Sequence, residues 1–266
     1  MLLTEVQADS LMNANGCVDQ NRTSTCVGIG EDAKACGDGI VAIGWNSNAN
    51  NGELKSEPIP YHQKIQSSVA IGRDTNTTLG VAIGNEAIGG AKEGTLSGQT
   101  YIHVGTALGA GTNALGHRSI AIGTMRNRKT YANGLQSIAI GNAVKALGNN
   151  AIAIGNSRSD KNGDYNATHT HSAKGYASIA LGLYSQADGN NSIVLGRYSK
   201  ANGLRLVAIG RRTQATEQSA TALGDRSQAT NKYVTALGHV TKAKGVASTA
   251  LGSYAATSSR ASTAMG

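Results

Sequence analysis

The sequence predicts an all-β solenoid, a flattened parallel β-roll assembled from 14-residue coils. Three observations carry that prediction. A short apolar string closed by glycine recurs through the chain, as IVAIG ending at Gly44, SVAIG at Gly72, SIALG at Gly182 and VTALG at Gly238. Its spacing is fixed: Gly182, Gly196, Gly210, Gly224, Gly238, Gly252 and Gly266 fall every 14 residues. Within the string, large and small residues alternate at period two, the signature of a strand rather than a helix.

Each part of the coil has a physical reason. The residue before the closing glycine is Ile, Leu or Met (Ile43, Ile122, Leu195, Leu237, Met265), and two positions earlier stands Val, Ile or Thr (Val41, Ile120, Ile193, Thr235). Between them is usually Ala, as in Ala42, Ala121 and Ala208. The large residues, including the row Thr221, Thr235, Thr249 and Thr263, are assigned to the interior. A second glycine near mid-unit (Gly116, Gly148, Gly189, Gly203, Gly245) supplies another corner where positive φ is tolerated. Two short strands therefore alternate with two turns. A single coil buries too little to offset the entropy of ordering it. Stacking about 4.8 Å apart turns each strand into a parallel ladder, the usual solution for repeat chains. Ala recurs on the second strand as well (Ala35, Ala146, Ala187, Ala201, Ala215), and small side chains on a flat ladder predict close approach of another copy.

Composition agrees with a thin core: 35 Gly, no Phe, one Trp and two Pro in 266 residues. Net charge is +8, with 24 Lys and Arg against 16 Asp and Glu, which favours anionic partners. No apolar run approaches the length of a bilayer-spanning helix. Residues 1–24 are expected to form an N-terminal cap or first coil. Cys17, Cys26 and Cys36 lie at that end, where one disulfide would staple an end coil in an oxidising compartment, with the pairing open. Residues 25–266 form the roll. It is interrupted near 46–66, where both prolines lie, and near 86–102, 124–133 and 156–174, read as loops or hairpins between coils.

The 14-residue SVAIG-type repeat with an Ala-x-Gly corner resembles the YadA-like head domain of trimeric autotransporter adhesins. Ser68–Gly72, Ser137–Gly141, Ser178–Gly182 and Asn191–Gly196 carry the resemblance, with Ala187-Asp188-Gly189 and Ala201-Asn202-Gly203 as corners. It implies a left-handed parallel β-roll, three chains packed as a trimeric head, and attachment to host extracellular matrix or epithelial surfaces or to other bacteria. It also implies exposure at the cell surface of an outer membrane, anchored through a segment beyond this sequence. The alternative is a structural fibre segment, phage or bacterial, whose ligand contacts lie elsewhere.

Candidate sites follow from the register. Counting from each closing glycine, the second residue is Tyr184, Tyr198, Arg212, Arg226, Val240 and Tyr254, and the fourth is Gln186, Lys200, Gln214, Gln228 and Lys242. With Arg197 and Arg211 they predict a basic and aromatic strip suited to sulfated glycans or acidic host proteins. Arg126, Arg128 and Lys129 form a second basic cluster on an insertion. In the resembling family, collagen recognition is associated with an NSVAIG-x-x-S pattern, and NSIVLGRYS at Asn191–Ser199 is the nearest string. Its Ile193 and Leu195 are assigned to the core.

No catalytic, cofactor or metal site is expected. His169 and His171 alternate near Asp160 and Asp164 without a defined ligand set. No nucleophile–base arrangement stands apart from the repeat, and no nucleic-acid motif is present.

Overall fold

The computed structural model describes residues 26–36, 39–50, 68–78, 80–90, 94–96, 99–101, 104–123, 129–157 and 170–266. The chain divides into two compact units, Met1–Asn127 and Arg128–Gly266. The expected 1–24 cap, Cys17, Arg126, Arg128, Asp160, Asp164 and His169 lie outside the described residues. Cys26 precedes the first described strand, Val27–Ile29, and Cys36 ends the strand Lys34–Cys36.

Both units are parallel β-solenoids, as the period predicts. In the first, Val41–Ile43, Val69–Ile71, Gly80–Ile83, Gly105–Leu108 and Ser119–Ile122 pair in register. In the second, the same ladder runs from Ile138–Asn142 to Thr263–Met265 and stacks Leu195, Ile209, Leu223, Leu237, Leu251 and Met265 in one column. The shorter strand of each coil builds a second parallel ladder, with Ala173, Ala187, Ala201, Ala215, Ala229 and Ala243 in one column. Thr130–Ala132 and His171–Ala173 belong to it in the second unit, and Asn48–Asn50 and Ile88–Gly89 belong to the equivalent ladder of the first. Among the described residues, one strand pair is antiparallel: Gly94–Leu96 with Gln99–Tyr101.

Which side chains face inward differs from the sequence expectation. The interior takes the small ones. Ala42, Ala70, Ala121, Ala180 and Ala208 are fully buried, whereas Ile193 is 37 % exposed and Leu223 39 %. Four interior columns line each coil. Two sit on the longer strand: the fourth residue before the glycine (Ser192, Leu206, Ala220, Val234) and the second before it (Val194, Ala208, Ala222, Ala236). Two sit on the shorter strand: the third after the glycine (Ser199, Thr213, Ser227, Thr241) and the fifth (Ala201, Ala215, Ala229, Ala243). A 14-residue coil closes on itself so tightly that mostly Ala, Ser and Thr fit between its two sheets, with an occasional larger residue such as Ile40, Val194, Leu206 or His171. Ile193 and Leu195 therefore point away from the coil interior, and so does the Thr221–Thr263 row, half-buried or exposed throughout. The alanine columns bring the two sheets of one chain together, not two copies; the outward large columns are the apolar surface left over.

Several buried hydroxyls donate to turn carbonyls, Ser178 to Gly175 at 2.7 Å, Ser192 to Gly189 at 2.6 Å and Thr213 to Gly210 at 2.9 Å, while those of Ser47, Thr77, Ser119 and Ser137 are buried with no hydrogen-bond partner among the described residues. Where it is made, that bond lets Ser and Thr share columns with Ala at little cost. The closing glycine is dictated by geometry. Gly210 has φ of 132°, and a Cβ there would collide with the Gly224 carbonyl oxygen, while its N–H bonds the Leu195 carbonyl at 2.8 Å.

Candidate aromatic and basic groove

The turn after the closing glycine positions the candidate strip. Its second residue adopts left-handed backbone, with φ of 57° at Tyr184, 60° at Tyr198, 58° at Arg212 and 55° at Arg226. The conformation is held by the coil before it: Tyr198 N–H bonds the Leu183 carbonyl at 2.9 Å, Arg212 that of Arg197 at 2.8 Å, and Arg226 that of Arg211 at 2.8 Å. These turns stack, so their side chains form a row. Tyr184 and Tyr198 lie face to face, centroids 5.1 Å apart and planes 16° apart. The Arg197 guanidinium sits 4.9 Å from the Tyr198 centroid and that of Arg212 6.0 Å, both within cation–π range.

Beside this row runs a second, two residues further on. Tyr184, Tyr198 and Arg212 on one side and Gln186, Lys200 and Gln214 on the other enclose a groove of about 520 Å³ with Ser199 in its lining. Gln186 is braced by a bond from Nε2 to the Thr170 carbonyl at 3.1 Å. Four predicted residues, Tyr184, Tyr198, Lys200 and Arg212, thus meet at one groove, and Arg197 stacks at its edge. Arg211 does not join them. Its guanidinium makes two bonds to the Asp225 carboxylate, at 2.8 and 3.2 Å. That hydrogen bonding raises the Arg211 pKa further and holds Asp225 below its usual range. Arg226 follows Arg212 in the row, one coil on. Lys129 is half-buried just before Thr130–Ala132.

Sequence reasoning passed over the Arg211–Asp225 pair, although its members lie one period apart. The serines of the NSIVLGRYS string are structural. Ser192 is spent on the Gly189 carbonyl, and Ser199 bonds the Gly210 carbonyl and Thr213 Oγ1.

The first unit uses the same turn differently. Its left-handed positions hold Asp32, Asn46, Asp74 and Glu86, with φ between 51° and 56°. Asp and Asn are enriched in that conformation, whereas a bulky side chain there is an outlier. Asn46 bonds Asp74 at 2.7 Å, and Arg73 pairs with Asp74 at 3.4 Å.

His171 occupies an interior position. It stands opposite Val144 in the ladder, fully buried; its N–H bonds Ser157 Oγ at 2.7 Å and its Nδ1 meets Ser185 Oγ at 2.9 Å. Burial lowers its pKa to about 4, partly opposed by the Ala180 backbone. Among the described residues, no cluster of His, Cys, Asp or Glu is arranged to hold a metal.

The YadA head domain repeat family matches the chain at residues 105–124, 132–157, 173–199, 201–227 and 215–240. No curated protein matches it. The segments 173–199 and 201–227 hold every groove residue but Lys200, which falls between them, and four of the five matches begin at one position of the coil, at Ala132, Ala173, Ala201 and Ala215. Across these segments the chain is made of YadA head domain repeats, the building unit of YadA-like adhesin heads.

Proposed function

We propose that the chain works as the homotrimeric head of a bacterial surface adhesin, contacting host matrix proteins such as collagen, epithelial surfaces or neighbouring bacteria. The observation that supports this most is the outward apolar face of the longer-strand ladder. Two columns leave the coil interior on this ladder, one of Ile, Leu and Met and one mostly of Val and Ile that turns to Thr from Thr221 onward, and such a contiguous surface marks an interaction site. Packing three copies along these columns covers it and leaves the shorter-strand ladder, rich in Lys, Gln and Asn, facing outward. The Tyr184–Arg226 strip then serves as a contact surface, with Arg126, Arg128 and Lys129 as a second basic patch. The head has no enzymatic role in this reading; it displays a rigid, charged surface away from the cell, anchored through another segment of the adhesin.

Binding of the purified assembly to immobilised collagen, other matrix proteins and epithelial cells tests the reading. Retention that weakens at high salt is expected, since exposed charges are screened within about 10 Å at 0.1 M. An assembly that binds no surface at either salt contradicts it and favours a passive fibre segment.

A further inference from the structure

Resting on the adhesin reading, we infer that the Tyr198 groove binds an anionic saccharide, its sulfate or carboxylate groups held between Arg212 and Lys200. Two independent features single this groove out. The first is local sequence choice. Left-handed turn positions that the first unit fills with Asp32, Asn46 and Asp74 are given to Tyr184, Tyr198 and Arg212. Backbone geometry is the same in both, and Arg226, Val240 and Tyr254 take it in the coils beyond, so the turn does not dictate the residue; Tyr184, Tyr198 and Arg212 are the ones whose side chains line the groove. The second is chemistry. One wall presents phenol rings and a guanidinium, the other an ammonium flanked by the amides of Gln186 and Gln214. The amides and the phenol hydroxyls suit sugar hydroxyls, and the two cations suit a charged oxygen.

Other occupants fit less well. A peptide would add as a strand or place side chains in apolar pockets. Neither is offered here: the strands Gln186–Ala187, Lys200–Ala201 and Gln214–Ala215 are paired on both sides, and polar groups dominate the groove walls. Single-stranded nucleic acid stacks its bases on aromatic faces, but Tyr198 is already stacked on Tyr184 and flanked by two guanidinium groups. The walls are rows repeating at the coil spacing of about 4.8 Å, comparable to one pyranose residue. A linear polysaccharide lying along the rows therefore meets a wall residue at the same position of each coil, a ring or guanidinium on one side and an amide or ammonium on the other.

Calorimetric titration of the full chain with a heparin-derived hexasaccharide, its desulfated counterpart and a hyaluronan hexasaccharide tests this. The expected result is saturable binding of at least one anionic hexasaccharide, weakened at least tenfold in K200A/R212A and severalfold in Y198A. R205A/K232A, exposed on the other turn of the coil and outside the groove, should bind as the parent does. Preference for the sulfated over the carboxylate-only oligosaccharide identifies sulfate as the recognised group, and the reverse identifies the carboxylate. Hexasaccharide affinity unchanged in K200A/R212A overturns the assignment. So does a chain that adheres to matrix protein yet binds none of the hexasaccharides, which leaves the adhesin reading standing.

Discussion

The two ladders of the solenoid share an interior and differ outside. Behind both lie columns of Ala with Ser and Thr; in front, the longer-strand ladder shows Ile193, Val207 and Leu223, and the shorter-strand ladder Lys200, Gln214 and Lys242. The interior set of a 14-residue coil is fixed by the space between its sheets, so identity there reflects packing. The outward sets are free to specialise. One face has the composition of a buried surface and the other that of a solvated one, and the aromatic and basic groove lies where the turn meets the polar ladder.

Substitutions separate what the ladders share from what they do not. The largest loss is expected where both depend on one atom. Gly210→Ala forces a Cβ onto the Gly224 carbonyl at positive φ, and chemical denaturation should register a cost of about 4 kcal/mol, or loss of the cooperative transition. Next comes the interior of the polar ladder under acid. The folded pKa of His171, about 4, lies below the ordinary 6.5, so the unfolded chain takes up the proton first. Stability is full above pH 6.5 and falls as pH drops toward 4, by about 3 kcal/mol. His171→Val, matching Val144 in the neighbouring coil, should flatten urea midpoints measured across that range; a midpoint as acid-sensitive as before contradicts the interior placement.

Smaller effects distinguish inside from outside. Ala208→Leu overfills the coil and should cost about 1–3 kcal/mol. Leu223→Asp, on the outward face, should leave the far-ultraviolet circular dichroism of the chain intact while releasing subunits. The least change is expected at the turn. Arg226→Asn relieves a left-handed arginine and should raise stability by about 1 kcal/mol or less. An unchanged or lower melting temperature would show that the turn carries no strain.

The ladders were legible in the sequence because every equivalent residue recurs after 14 positions; Leu195, Ile209 and Leu223 could be placed in a column from spacing alone. Which face pointed inward was not. Burying the largest apolar residues is a sound rule for many folds, and it misassigns Ile193 and Leu195 because those positions face away from the narrow space between the two sheets of the coil. Ser192, Val194, Ser199 and Ala201 carry the missing signal: they share one side of the backbone and none is larger than Val. Register likewise aligned Tyr184, Tyr198 and Arg212. It could not show the left-handed backbone beneath them, since Tyr and Arg do not announce that conformation as Asn46 and Asp74 do, nor that Asp225 draws Arg211 away from the groove.

Light scattering of the purified chain, with and without an outward charge at Leu223, tests most directly whether the large columns are covered by other copies. The account predicts a mass three times the 27.1 kDa of one chain, falling to a single chain in Leu223→Asp. A parent protein that stays at 27.1 kDa across micromolar concentrations, its Ile and Leu columns facing water, would contradict it.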